Sequence, residues 1–203
     1  MTKKFLKSAA IFAASSVFAV KASLAGDVKL FASGGLLHSN DNYVVSDSEG
    51  KAGFASTNFI KNFGINLSGG AQYALNKYFY VNGEAFAQYR NASAASTNVS
   101  ANSRYNLGAL ARLGVNVNDK SSVYLGAGVA YSPISISTDE GTVKQNVISP
   151  LLVLGMATDV TESLQGYVDF QISSSLNSRY RADDANIRHD NRSLVLGVRK
   201  FFN

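Results

Sequence analysis

The chain has 203 residues, of which 46% are hydrophobic and 11% aromatic, with 19 Lys and Arg against 14 Asp and Glu. It contains no Cys, which excludes a disulfide framework and thiol chemistry. Removing the four lysines of the first 25 residues leaves 15 basic and 14 acidic residues, and this near balance excludes a nucleic-acid partner.

The N-terminus has the pattern of a secretory signal. A basic start is followed by an apolar run over residues 8–20 and by the small residues Ala22-Ser23-Leu24-Ala25. The run is shorter than the ~20 residues that a membrane-spanning helix needs. We therefore predict a signal peptide over residues 1–25, cleaved after Ala25, and one domain over residues 26–203.

The first clear elements of the mature chain form a hairpin. After a first strand at residues 27–37 and a polar link at 39–57, residues 59–75 and 79–90 alternate apolar and polar side chains on either side of Asn76-Lys77. A period of two predicts strands, and a two-residue connection predicts a hairpin. The polar face carries amides, Gly and charges, so we expect the apolar face to contact lipid and the polar face to line an interior.

The same alternation continues to the C-terminus, and the predicted facing is least clear for residues 147–158, which are apolar on both sides. The later strands are predicted at residues 104–117, 123–131, 147–158, 164–172 and 192–202. Long links are predicted at residues 39–57, 91–103, 132–146 and 177–191, and short turns near residues 76, 119 and 161.

Eight strands with alternating long and short connections predict an all-β, eight-stranded antiparallel up-and-down transmembrane barrel. Open sheet edges are not tolerated in a bilayer, so the strands must close. Four long loops are expected outside the cell and three short turns in the periplasm, which places the protein in the bacterial outer membrane. Aromatic side chains stand near both ends of the strands, as lipid-facing girdles do.

Inward charges are the first candidate site. Counting from the loop centres places Glu84 opposite Arg112 and Asp169 opposite Arg199, with Lys29 and Arg90 also facing inward. Glycines 126 and 128 on the neighbouring strand leave room for a long Arg side chain. Such pairs either fill a closed lumen or gate a narrow pore, and the filling role is favoured because a buried charge needs a partner in any case.

Catalytic and metal signals are weak. The triplet His38-Ser39-Asn40 has a base beside a hydroxyl but no assignable acid, and His189 lies in a predicted loop, where a solvated role is expected. Two His residues and scattered acids give no metal-ligand spacing. We predict no enzyme activity, no catalytic residue, no metal site and no cofactor.

The fourth long link, extended by one residue to Arg192, is the second candidate site. It concentrates Arg179, Tyr180, Arg181, Arg188 and Arg192 on one segment. Arg binds phosphate, sulfate and carboxylate groups through two parallel hydrogen bonds, so lipopolysaccharide phosphates, an acidic glycan or a host protein are the expected partners. A solvated charged loop is the alternative.

The whole mature chain resembles a known family in architecture. Its signal, eight alternating segments and C-terminal strand Leu194-Val195-Leu196-Gly197-Val198-Arg199-Lys200-Phe201-Phe202-Asn203 are similar to the small outer-membrane barrels grouped with the OmpA transmembrane domain, OmpX and Ail. The resemblance implies that the assembly machinery reads the terminal aromatics Phe201 and Phe202, although here Asn203 follows them and Lys200 replaces the usual apolar or Tyr residue. It also implies contact with outer-membrane lipid and a role in envelope stability or attachment to a host. The alternatives are a small porin-like pore and a lipid-modifying enzyme.

Overall fold

A computed structural model describes residues 28–46, 52–56, 62–95, 99–138, 141–175, 178–179 and 186–202, almost all of them in strands. The signal segment lies outside these residues and stays a prediction. The strands are β1 Val28–Ser46, β2 Ala52–Ser56, β3 Phe63–Ala74, β4 Phe79–Ala95, β5 Val99–Asn116, β6 Ser121–Thr138, β7 Gly141–Thr161, β8 Leu164–Ser174, β9 Ser178–Arg179 and β10 Asn186–Phe202. The described residues contain no helix that is long and apolar enough to cross a bilayer.

Eight of these strands close into an antiparallel barrel in the order β1-β3-β4-β5-β6-β7-β8-β10. The seam joins β1 to β10 from Leu30↔Phe202 to Ser46↔Asn186. The short strands β2 and β9 pair with the outer parts of β1 and β10. The predicted eight-stranded barrel is confirmed, and closure satisfies the backbone hydrogen bonds that lipid cannot.

The strands extend further outward than the sequence predicts. Most of the links predicted at residues 39–57, 91–103 and 132–146 are strand, because β1, β4 and β6 run on to Ser46, Ala95 and Thr138. These segments lack an apolar outward face, since beyond the bilayer the outward side contacts water. Their alternation lies in the inward side chains, such as Ile134 and Ile136, which are buried.

The facing of the strands follows the predicted alternation. Outward apolar side chains are exposed to the bilayer. In β7, whose facing the sequence leaves unclear, Leu152, Leu154 and Met156 point outward and Leu151 and Val153 point inward. Exposed aromatics mark the two membrane boundaries: Phe63, Tyr89, Tyr105 and Tyr131 on the outer side, and Phe79 and Phe202 on the inner side. The four outer aromatics form the outer girdle.

Candidate functional sites in the lumen and at the outer end

Four buried charges form an inner charged layer: Glu84 on β4, Arg112 on β5, Asp169 on β8 and Arg199 on β10. Arg112 donates hydrogen bonds to Glu84 and, from Nη2, to Asp169 Oδ2 at 2.6 Å. The Arg199 Nη2 atom lies 3.6 Å from Glu84 Oε2. Two positive and two negative groups therefore balance one another across four strands.

The pairing differs from the sequence prediction. Opposite Glu84 is Leu110, and opposite Arg112 is Asn82, so the two charges meet along a diagonal. The predicted pair of Asp169 with Arg199 is wrong, since Asp169 contacts Arg112 while Arg199 reaches Glu84. Counting from loop centres needs the true centre of each hairpin and an unshifted ladder. Between β4 and β5 the register shifts between Tyr89 and Ala92. Between β8 and β10 the observed pairing Asp169↔Val195 shows that residue 184 is not the centre of that hairpin.

Aromatic rings and a glycine complete this layer. The Arg199 guanidinium lies 4.5 Å from the centre of the Phe31 ring, and the Arg112 guanidinium lies 5.2 Å from that of Tyr124. The Tyr124 hydroxyl donates to Asp169 Oδ1 at 2.5 Å. A Cβ atom at Gly126 would stand 2.8 Å from Arg112 Cγ, so this glycine provides space for the Arg side chain.

An amide layer lies outward of the charges. Gln88 Nε2 donates to Asn66 Oδ1 at 3.2 Å and to Gln171 Oε1 at 3.0 Å. Asn106 donates to Gln88 at 3.1 Å and accepts from the Ser132 hydroxyl at 3.0 Å. Side chains from five strands thus hydrogen-bond across the lumen, which fills the barrel as expected for eight strands.

The outer-mouth cluster is the site that the sequence predictions missed. It is centred on Asp41, whose side chain is fully buried. Its other members come from β1, β10, β4 and the residue preceding β3: Ser39, Asn62, Arg90, His189 and Asn191. Asp41 Oδ1 lies 2.8 Å from His189 Nε2 and 3.0 Å from Arg90 Nη1, and it accepts a hydrogen bond from the Asn191 side chain at 2.9 Å. Asp41 Oδ2 accepts a hydrogen bond from the Ser39 hydroxyl at 3.1 Å.

The predicted solvated role of His189 is wrong, because its side chain is buried. The His189 ring is stacked on the Tyr43 ring, with ring centres 4.7 Å apart. Asp41 lies beyond the outer girdle, three residues past His38, the partner of Phe63. Burial alone raises the pKa of Asp41, but Arg90 and the hydrogen bond from His189 outweigh it and lower the pKa to about 2. The carboxylate is therefore ionised and ties β10 to β1 across the seam.

Serine and histidine side chains near this mouth have structural contacts. The His38 ring lies 4.9 Å from that of Phe63, and the Ser39 hydroxyl is directed at Asp41. The backbone N–H of His189 donates to Ser175 Oγ at 2.7 Å. Within the described residues, His, Asp and Glu form no group of three that could hold a metal ion.

Two of the predicted surface arginines, Arg188 and Arg192, lie on strand β10, which begins at Asn186 and includes the end of the link predicted at residues 177–191. The Arg188 side chain is 58% exposed, with Nε 3.0 Å from Asp190 Oδ2, and Arg192 is also exposed. Both belong to the outward face, since they alternate with the buried His189 and Asn191. Arg179 lies in β9, whereas Tyr180 and Arg181 lie outside the described residues.

The two terminal aromatics have different positions. Phe201 points inward and packs edge-on against Phe31, with ring centres 5.9 Å apart. Phe202 is 51% exposed and faces lipid. Recognition by the assembly machinery through these residues stays a prediction, with Phe202 the one that a partner can reach from outside the barrel.

The fold and the filled interior define a class: small, closed outer-membrane β-barrels with long outer strands. The chain belongs to the outer membrane protein beta-barrel domain family, whose model matches residues 10–199. The protein is therefore located in the bacterial outer membrane.

Solved structures share the fold. Ail, the attachment invasion locus protein of Yersinia pestis, is 15% identical with a TM-score of 0.53, over 88% of this chain and 100% of Ail. Neisserial surface protein A is 16% identical with a TM-score of 0.50, over 87% of this chain and 99% of that protein. A search of curated proteins found no match.

Proposed function

We propose that the protein is a closed, non-catalytic surface barrel that attaches to acidic glycans through its outer end. The observation that carries this proposal is the exposed pair Arg188 and Arg192 on the outward face of β10. The filled lumen supports it, because the charged and amide layers occupy the path that a pore would need. The structural contacts of Ser39, Ser175 and His189 support a role other than catalysis.

The two arginines lie at different distances from the outer membrane boundary, which favours different partners for each. Arg192 is two residues beyond Leu194, which is opposite His38 and therefore level with Phe63 of the outer girdle. Arg192 is thus placed near the headgroups, where lipopolysaccharide phosphates would contact it, and this contact would serve envelope stability. Arg188 is four residues further out, where a glycan of another surface would reach it.

The test compares cells that express the parent with cells that express Arg188→Ser/Arg192→Ser. Two exposed ion contacts are worth roughly 0.5–1 kcal/mol each, so adhesion to heparin-coated surfaces should fall about tenfold at low salt. Parent adhesion should also decrease as salt shortens the screening length. Asp190→Asn, which removes an acidic neighbour and keeps both arginines, is the control that should adhere at least as well as the parent.

Two results would change the proposal. Equal adhesion by parent and double variant at low salt would remove these arginines from attachment. If adhesion is unchanged but the double variant alone makes cells sensitive to detergent, the partner is the cell's own lipopolysaccharide and the role is envelope stability.

A further inference from the structure

The inner end of the barrel contains a cavity of about 640 Å³ that opens between the short turns. We call this cavity the inner vestibule. Its volume lies in the range of about 300–1,000 Å³ that small-molecule sites have. The buried side chains of Tyr80, Gln165 and Phe201 line it, and its charged lining includes Lys29, Lys77, Asp159 and Glu162.

Hydrogen bonds hold two of the turns around the vestibule in place. The backbone N–H of Asn116 donates to the Tyr78 carbonyl at 2.7 Å, which joins the first turn to β5. Asn118 Oδ1 accepts from the backbone N–H of Lys120 at 2.9 Å, within the second turn. The N–H of Asp159 donates to the Lys120 carbonyl at 2.7 Å, which joins that turn to β7. A ligand therefore meets an ordered rim, which lowers the entropy cost of binding.

Charges of opposite sign lie on opposite sides of the vestibule. Lys29 is on β1 and Lys77 is in the turn between β3 and β4, whereas Asp159 is near the end of β7 and Glu162 is in the turn between β7 and β8. The turn after β3 and the turn after β7 are four strands apart in the barrel order, which is halfway around eight strands. The lining pair Asp119-Lys120 adds one charge of each sign. The vestibule therefore favours a ligand with a negative and a positive end.

Existing contacts leave these charged groups able to bind. Lys77 Nζ lies 4.7 Å from the centre of the Tyr78 ring. Asp159 Oδ1 accepts a hydrogen bond from Gln165 Nε2 at 2.9 Å. An ammonium group donates three hydrogen bonds and a carboxylate accepts about four, so both groups have capacity for a ligand.

The width of the vestibule suits a short peptide. Eight strands about 4.8 Å apart and tilted by about 40° enclose a diameter of about 16 Å between backbones. Charged side chains extending from both sides shorten this span. An extended chain of two or three residues is roughly 7–11 Å long and can therefore reach both sides at once.

Unpartnered amide groups favour a peptide over another dipolar ligand. Gln72 lines the vestibule, and its Oε1 atom is buried without a hydrogen-bond partner among the described residues. Asn82 is opposite Gln72 in the ladder and is 3% exposed, and both of its side-chain amide atoms also lack a partner within that part of the chain. A peptide group supplies one N–H and one C=O, which complement side-chain amides.

We propose that the inner vestibule binds a short peptide of two or three residues with free ends. The peptide carboxylate contacts Lys29 and Lys77. The peptide ammonium group contacts Asp159 and Glu162, and a peptide N–H donates to Gln72 Oε1. The site lies at the opposite end of the barrel from the exposed arginines of β10, so this inference does not rest on the proposed attachment.

The experiment titrates the mature barrel in lipid nanodiscs with trialanine and follows the amide NMR signals. The signals of residues 77, 120 and 162 should shift in the parent, with a dissociation constant in the millimolar range. Lys77→Met and Glu162→Gln change exposed turn residues and should each weaken binding about fivefold, the upper end for one exposed ion contact. Lys144→Met, at an exposed position in the outer part of β7, is the matched control and should bind as the parent does.

Peptides with one blocked end test the orientation. Acetylation of the peptide amino end should weaken binding to the parent about fivefold and should have no further effect on Glu162→Gln. Amidation of the carboxyl end should show the same relation with Lys77→Met. The compound ε-aminohexanoate, which separates the same two charges without a peptide group, should bind more weakly than trialanine.

Four results would overturn the proposal. The first is the absence of shifts in the parent at millimolar trialanine, and the second is equal binding of a peptide blocked at both ends. The third is that sodium acetate alone produces the same shifts with the same affinity, which would make the vestibule a simple anion site. The fourth is equal binding of ε-aminohexanoate, which would remove the role of the peptide group.

Discussion

Arg112 connects the two acidic groups of the inner charged layer. It shows that the alternation of side chains along a strand predicts which side chains face inward but not which of them make contact. The inward facing of Glu84, Arg112, Asp169 and Arg199 follows from their position in alternating strands. Their contacts depend on the register between neighbouring strands, which the alternation of side chains does not reveal. A long Arg side chain also reaches diagonal neighbours, so the residue directly opposite an Arg in the ladder is not necessarily its partner.

Arg112→Met should destabilise the barrel by about 3–5 kcal/mol, because Glu84 and Asp169 lose a buried partner and the layer keeps a net negative charge. The double variant Arg112→Met/Asp169→Asn should lose less than the single variant, since Glu84 and Arg199 then remain as a balanced pair. Urea unfolding in lipid vesicles measures both, with Lys120→Met in an exposed inner turn as control. Additive losses would show that the two residues are not coupled.

At the scale of elements, the sequence predicts the membrane part of each strand better than the outer part. Lipid requires an apolar outward face, which makes the alternation visible between residues 59 and 90. Beyond the girdle this requirement ends, and polar strand segments have the composition of loops. The sequence nonetheless contained a signal for the outer-mouth cluster. Asp41 continues the alternation that places Phe31 and Ser39 on the inward side of the first strand. The inward Arg90 also needed a negatively charged partner.

The outer-mouth cluster predicts a pH dependence for the seam between β1 and β10. The pKa of Asp41 is lowered from 3.8 to about 2, so its contribution is complete above pH 4 and is lost as the pH falls through 2. A shift of this size is worth about 2 kcal/mol. The stability difference between the parent and Asp41→Asn, measured by urea unfolding, should shrink between pH 5 and pH 2. A difference that stays constant over this range would exclude Asp41 as an ionised link.

At the scale of the whole molecule, closure was predictable because the bilayer leaves no other arrangement for amphipathic strands. The strand count followed from the connections, and the filled interior followed from the strand count. The layering inside the barrel could not be predicted, since it depends on which inward side chains meet across strands that are distant in sequence. Gln88 and Gln171, for example, hydrogen-bond at 3.0 Å although 83 residues separate them.

The filled barrel predicts how the purified protein behaves. It should be almost purely β by circular dichroism in detergent and should migrate differently on gels before and after boiling, because a closed barrel resists unfolding until it is heated. In planar bilayers it should show little or no conductance, since the inner charged layer and the amide layer block the lumen. A porin reconstituted in the same bilayers verifies that the recording detects channels. Steady currents from the parent would establish a pore and displace the closed-barrel proposal.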